Sequence, residues 1–458
     1  MRDGIGETEY LYDKLNRITN VKKVIRGHQY ITKYKYEPLN RFKITYPNGL
    51  EIEYEYNKAG QLERVRDGNI ILANYNYDEA GNLTGISYHN GARINLSYDK
   101  LNRVKSITSY DSGNKAIFRE KYSYDSVGNI IRKERSAKES IHYQYDNRYQ
   151  LTGVEFQLGG KLSYAFDSVG NRTNFKYPYG EKVYEYDEMN RLTRIWSKPM
   201  GERLFEYDTA GNLVQEIKKN VGFDNIISKM NYTYDSENRL TEVDIPFIKD
   251  SNLKKIKGKL PKGKKIKFRY DGDGMRIEKE YISQGVVDRT NIIVYHYDIA
   301  GNMIMETDKD GKVRYAYIYG NGMLICRYDY TQPTTSRLYT LYYHFDNTGS
   351  IVRLTDKNGR QVQKYEYDPY GNIIEAEGII HNNPFRYSQK YYDYETGLYY
   401  YGARYYNPEY GRWLSEDPII ANIYNSRDNN QYQFCYNNPN VFTDVWGMMI
   451  ISHNLTPI

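Results

Sequence analysis

The sequence predicts an all-β chain of repeated hairpins, and three observations carry that prediction. A Tyr-Asp phrase, seen in YDEAGNLTGI at residues 77–86, recurs about every 21 residues; aromatic residues alternate ahead of it; and glycine or asparagine stands three residues after the aspartate. The phrase begins at Tyr12, Tyr77, Tyr98, Tyr124, Tyr145, Tyr186, Tyr207, Tyr234, Tyr270, Tyr297 and Tyr367, with Phe166 and Phe345 in the tyrosine place, while Glu37 and Asn57 replace the aspartate after Tyr36 and Tyr56. Steps of 20, 21 and 21 run from Tyr36 to Tyr98, and of 21, 21, 20 and 21 from Tyr124 to Tyr207. So regular a period means one structural unit per phrase.

The first half of each unit reads as a strand. In Asn74-Tyr75-Asn76-Tyr77 and Lys121-Tyr122-Ser123-Tyr124 the aromatic residues are two apart, which puts them on one face of extended chain. The turn comes next. Three residues past the aspartate lie Gly60, Gly81, Gly128, Gly170, Gly211, Gly301 and Gly371, or Asn16, Asn40, Asn102, Asn190 and Asn238; only Tyr149 departs clearly. Glycine and asparagine enter the left-handed region at low cost, so a type I turn closed by a left-handed residue is expected, with the aspartate side chain bonding nearby N–H groups. The Leu-x-x-Ile or Arg-Leu-Thr segment after the turn is the return strand. On this reading the aspartates are turn residues.

Composition narrows the function classes. The 54 tyrosines among 458 residues provide apolar faces with polar tips, enough to build a core at a hydrophobic fraction of 40% and a mean hydropathy of −0.82. No apolar run is long enough for a membrane-spanning helix, and MRDGIGETEYLYDKLNR has no apolar signal-peptide stretch, so the chain reads as the C-terminal part of a longer architecture. The net charge of +6 is uneven: residues 248–267, IKDSNLKKIKGKLPKGKKIK, hold nine lysines and interrupt the repeat. Without interleaved aromatic residues this run is expected to be a solvated insertion loop, with no specific nucleic-acid partner. Cys326 and Cys435 form no metal-binding pair and read as structural thiols. Phosphate-loop, zinc-protease and serine-hydrolase signatures are absent, and Asp271-Gly-Asp273-Gly lacks calcium-loop spacing and reads as another turn, so no cofactor or metal is expected.

From about residue 380 the text changes. Glu395-Thr396-Gly397-Leu398-Tyr399-Tyr400-Tyr401, Ala403-Arg404-Tyr405-Tyr406, Gly411-Arg412-Trp413 with Asp417-Pro418, and Asn437-Asn438-Pro439 together resemble the RHS repeat-associated core. Its relatives include wall-associated YD-repeat proteins, the C components of Tc toxins and the teneurin shell. The resemblance implies β-hairpins wound into a spiral shell, here a partial one. It divides the chain into a shell segment at 1–380, the core at 381–448 and a tail at 449–458 too short to be a toxin domain. It also implies secretion or cell-surface display, although no signal peptide is seen, and as partners an upstream shell chain or a toxin payload.

In toxin members the core is associated with aspartyl-protease-like self-cleavage, in which two close carboxylates share one proton. Carried over by motif, the resemblance implies Asp417 as one carboxylate, Asp428 as the second, and Arg412 as a positioning or polarising group. The cut is expected between Met448 and Met449, after Asp444-Val445-Trp446-Gly447-Met448, where Val445 and Met448 depart from the family's proline and leucine. The structural alternative is that Asp417 and Asp444 cap turns. Any enzyme activity is thus at most autoproteolytic. A second function class is a glycan-binding module with exposed tyrosines stacked on sugar rings; a contiguous exposed row would favour it, and rings packed between hairpins would favour the shell.

Overall fold

The computed structural model describes residues 6–37, 41–198, 201–220, 226–245, 263–283, 286–331, 340–380, 382–419, 429–448 and 450–452. Among these residues thirty-two strands, from β1 (Gly6–Tyr12) to β32 (Ile373–Gly378), form one antiparallel sheet in which each strand pairs with the next in sequence. The hairpin phrase explains why. In the unit joining β7 (Ile70–Tyr77) to β8 (Leu83–Tyr88), Asp78 N–H donates to Asn82 O at 3.0 Å and Gly81 N–H to Asp78 O at 3.0 Å, with Gly81 at φ 87°. The register slips by one residue between Asn76 and Tyr77, the bulge that a left-handed residue after a type I turn creates. Tyr149 obeys the same geometry at φ 63°, so the turn imposes the conformation even on a residue that pays for it. Asp271 likewise heads an ordinary turn, with Gly274 N–H donating to its carbonyl at 3.0 Å.

Gly81 allows the turn to be tested almost free of packing. A Cβ there would meet only Gln61 Nε2, at 3.2 Å. Gly81→Val is therefore expected to cost about 1 to 3 kcal/mol through backbone strain, read as a lower denaturant midpoint; an unchanged midpoint would contradict the turn assignment.

The phrase's tyrosine joins one hairpin to the one before it. The Tyr77 hydroxyl donates to Leu62 O at 2.8 Å, Tyr98 to Leu83 O at 2.8 Å, Tyr145 to Ile130 O at 2.7 Å and Tyr367 to Ile351 O at 2.8 Å. Each accepting carbonyl opens the previous return strand, so the phenol spans two units and phenylalanine would lose the bond. Turns also link to turns: Asn82 Nδ2 donates to Asn102 Oδ1 at 3.1 Å, and Asn212 Nδ2 to Asn238 Oδ1 at 2.9 Å.

The sheet coils back over itself. Lys23 pairs with Asp271 at 2.5 Å, Tyr46 donates to Tyr317 O at 2.8 Å, Tyr88 to Tyr343 O at 2.7 Å and Asn90 to Thr355 Oγ1 at 3.1 Å, partners 248 to 271 residues apart. The later strands are consequently covered on both faces: β26 (Met303–Thr307), β29 (Thr340–Phe345) and β30 (Ile351–Thr355) are buried at every residue. Alternate side chains serve two cores. Ala316 and Ile318 join the cluster of Ile52, Val65 and Ile94 from the first strands, while Tyr315 and Tyr317 join Phe385, Tyr391 and Leu398 from the segment after the sheet.

That segment forms a four-stranded sheet, β33 (Tyr391–Asp393), β34 (Leu398–Tyr400), β35 (Tyr405–Asn407) and β36 (Arg412–Trp413), then a hairpin of β37 (Phe442–Asp444) and β38 (Ile450–Ser452). The lysine-rich run falls mostly outside the described residues. Its last four residues, Lys264–Lys267, differ from the loop expected: they open β23 (Lys264–Tyr270), where Glu242 on the neighbouring strand neutralises Lys265 at 2.7 Å.

Candidate functional site

The closing segment is built on the rim of Tyr-Asp turns. A Cβ at Gly211 would lie 2.6 Å from Glu416 Oε1 and 2.7 Å from Tyr432 Oη, and one at Gly371 would lie 2.6 Å from Tyr387 Cδ1. These turns need glycine twice over, for φ and for the segment lying against them. Asn437 and Asn438 donate to Gly170 O at 2.7 Å and Tyr149 O at 2.9 Å, reading two successive turns. To do so Cys435, Tyr436 and Asn437 take three consecutive left-handed conformations, φ 49°, 51° and 57°.

Arg412 belongs to this anchoring. Its guanidinium donates to Asn171 Oδ1 at 2.9 Å and Asn190 O at 2.6 Å and lies over the Tyr186 ring at 4.7 Å. The arginine that meets Asp417 is instead Arg404, eight residues earlier: its Nη2 donates to Asp417 Oδ2 at 2.6 Å and lies 3.5 Å from Asp444 Oδ2. Its Nη1 bonds Gln431 O at 2.8 Å, its Nε bonds Gly447 O, and its plane stacks on Trp413 at 4.3 Å. Arg404 thus draws together two carboxylates and two backbone carbonyls. Asp428 and Met449 lie outside the described residues.

Asp444, preceded by Thr443 and not by tyrosine, repeats the turn bonding of the Tyr-Asp aspartates and puts it to another use. Its Oδ1 accepts from Trp446 N–H at 3.2 Å and Met448 N–H at 3.0 Å, as Asp78 Oδ1 accepts from Ala80 and Asn82 at 3.0 and 2.8 Å. The other oxygen differs. At Asp78 it is held by Asn82 Nδ2 at 3.0 Å, and at Asp99 by Arg103 Nε at 2.7 Å, both four residues on. Met448 in that position has no donor, so Oδ2 of Asp444 faces Arg404 and the side of Asp417. The one other sequence signal, methionine at the same place in the Asp271 turn, has the same effect: Lys23 comes from a distant strand to hold Asp271.

The electrostatics suit shared protonation. Asp417 has its pKa raised, by burial first and also by Asp444, against the opposing pull of Arg404. Arg404 is lowered by burial, with Asp417 and Asp444 opposing. Burial pushes the Cys435 thiol well up, and Asp444 adds to it, so this cysteine is no thiolate nucleophile at neutral pH. Among the described residues no group of three or more His, Cys, Asp or Glu is placed to hold a metal, and no helix is long and apolar enough to cross a membrane.

Known proteins resemble this chain in sequence and in fold. The family described as the teneurin YD-shell matches residues 39–111 and 105–440. The chain belongs to the teneurin YD-shell family. Relatives of this YD shell include the tRNA nuclease WapA of Bacillus subtilis strain 168, 32% identical over 307 residues, and the toxin subunit YenC2 of Yersinia entomophaga, 44% identical over 89 residues. These alignments cover 64% and 18% of the chain but 11% and 8% of the relatives, so the YD shell spans about a tenth of their length. A structure of the Photorhabdus luminescens Tc holotoxin pore superposes with a TM-score of 0.69 at 18% identity, over 100% of this chain and 24% of that one, which shows a shared fold.

Proposed function

We propose that this YD shell encloses or presents a C-terminal payload in a longer toxin or wall-associated protein, exported from the cell, and releases the chain beyond residue 448 by aspartyl-type self-cleavage. The observation that carries the reading is Arg404 holding Asp417, Asp444 and the Gly447 carbonyl at once. One carboxylate, ionised, takes a proton from water as the water oxygen attacks the carbonyl carbon; the other, protonated, gives its proton to the leaving amide nitrogen as the C–N bond breaks. Arg404 holds the carboxylate pair together, and its Nε on the Gly447 carbonyl fixes the peptide next to the scissile bond. Asp444 takes the place expected of Asp428 as second carboxylate. That relatives are named a tRNA nuclease and a toxin subunit supports a toxin as the payload class.

The glycan-binding alternative gains little support. Tyr12, Tyr149, Tyr179 and Tyr394 are the exposed tyrosines among the described residues and come from separate units, whereas rings such as Tyr317, Tyr343, Tyr365 and Tyr406 are fully buried. Intact mass of freshly purified protein tests the proposal, beside Asp417→Asn and Asp444→Asn. The parent is expected to lose residues 449–458 and both variants to keep them. Loss of 448–458 instead would move the cut to the peptide bond whose carbonyl Arg404 grips, leaving the proposal standing; a full-length parent would sink it.

A further inference from the structure

Lys390 precedes β33 and comes after two left-handed residues, Ser388 and Gln389, at φ 48° and 55°. Its own backbone is fixed on both sides, N–H to Tyr387 O at 2.9 Å and O from Arg386 N–H at 3.1 Å. The side chain of this lysine reaches the turn that carries Asp444. Its Nζ donates to the carbonyl of Val445, between the faces of Tyr401 at 5.1 Å and Trp446 at 5.8 Å. Backbone strain and two aromatic walls therefore deliver an ammonium to the residue beside the second carboxylate. Nothing in the hairpin architecture requires a cation there, since Oδ1 of Asp444 already holds the turn through Trp446 and Met448.

We infer that Lys390 is a positioning residue for self-cleavage: its ammonium fixes the Val445 peptide and biases the shared proton away from Asp444 and onto Asp417. The inference rests on the self-cleavage reading and deepens it. The charges around the pair make the bias directional. Arg404 lies nearer Asp417, 2.6 Å against 3.5 Å for Asp444, so alone it favours an ionised Asp417; burial, which raises Asp417 in spite of it, and a cation on the Asp444 side act the other way. Lys390 stands on the Asp444 side, and the Asp444 charge acts on it. Among the described residues the bonded partners of Asp417 are Arg404 and the Ile419 N–H, with no lysine. Asp444 is thereby the base that accepts the proton of water, and Asp417 the acid that returns one to the amide nitrogen.

The chemistry of the two cations makes the bias depend on pH. Burial lowers Lys390 to about 8, with Asp444 opposing the fall, whereas a guanidinium keeps its charge throughout the working range. Asp444, whose charge acts on it, and Tyr401, whose ring it faces, are the titratable groups placed against it among the described residues. Above about pH 8 the ammonium loses its charge, and with it the bias on Asp444.

The test is the rate of self-cleavage of newly synthesised full-length chain, made in a cell-free system and transferred to buffers from pH 5 to 9.5. The parent is expected to slow as pH passes about 8. Lys390→Met should be slower by roughly tenfold, one pKa unit of bias, and lose that alkaline fall. Lys390→Arg should regain most of the rate and stay active above pH 8. A Lys390→Met variant matching the parent in rate and profile would overturn the inference, as would Lys390→Arg as slow as Lys390→Met, since charge would then not be what matters. A parent that stays intact at every pH would instead remove the self-cleavage reading itself.

Discussion

Asp393→Ala is expected to destabilise the protein by about 3 to 5 kcal/mol. The side chains of Asp393 and Arg276 are both fully buried and pair at 2.5 Å, and Lys279, 3% exposed, adds a second bond to Asp393 at 2.7 Å. Glu395 completes the balance on Lys279 at 2.8 Å. Five rings, Phe268, Tyr295, Tyr391, Tyr400 and Tyr405, stand 4.4 to 5.8 Å from the Arg276 guanidinium, so no water replaces the carboxylate when it is removed. Burial alone would raise the Asp393 pKa; the charges of Arg276 and Lys279 outweigh it and hold the carboxyl below its ordinary range. The loss is thus mainly that of leaving Arg276 buried without its anion, not the worth of the pair itself. Because Asp393 belongs to the closing segment and Arg276 to the sheet, the denaturant midpoint reports whether this cluster docks one on the other. A loss under 1 kcal/mol would show that it does not.

Stability is expected to fall steeply as pH drops from 6.5 toward 5. His296 and His344 occupy equivalent places two residues before Asp298 and Asp346, each with Nε2 near a threonine hydroxyl, Thr307 at 3.1 Å and Thr355 at 3.2 Å. Burial pulls both pKa values down to about 3, with Lys23 adding to the effect at His296 and Arg353 at His344. The unfolded chain protonates its histidines near 6.5. Between 6.5 and 3 the unfolded state therefore binds two more protons than the folded one, and stability declines with falling pH at up to about 2.7 kcal/mol per unit. Buried Asp298, Glu306, Asp346 and Asp368, all raised first by desolvation, act in the opposite sense: protonated more readily when folded, they offset part of the loss at the acid end. Urea midpoints between pH 7.5 and 5 test the slope, and a His296→Gln, His344→Gln double variant should flatten it. A flat profile in the parent would refute neutral burial of these rings.

The repeat is legible in the sequence because its physics is local. A turn aspartate, a left-handed residue and alternating rings each act within a few positions, so Asp78, Gly81 and Tyr77 announce the hairpin wherever they recur. The residue four after the aspartate is the part of the phrase that sequence reasoning missed, although Asn82 completes the Asp78 turn and Arg103 the Asp99 turn. Double burial of β29 is also written in the run Leu341-Tyr342-Tyr343-His344-Phe345, which lacks a polar face. The candidate site is less legible, for a physical reason. Asp444 makes the same backbone bonds as the other turn aspartates, and what distinguishes it is an arginine forty residues away brought near by the closing sheet. Proximity in sequence favours Arg412 over Arg404 for Asp417, and only the fold shows Arg412 committed to Asn171 and Asn190.

The coiling sets a rule for how such a wall can change length. Along the sheet each hairpin answers only to its two neighbours, as in other repeat proteins, and one unit more or less leaves those bonds intact. Across the coil, Tyr46 must meet Tyr317 and Tyr88 must meet Tyr343, pairs fixed by the number of hairpins between them. Losing a single unit between these partners would slide every later contact by one hairpin, setting Lys23 against something other than Asp271. The circumference of the coil is therefore a counted quantity, and a wall tolerant of substitution within each repeat is intolerant of changing how many there are.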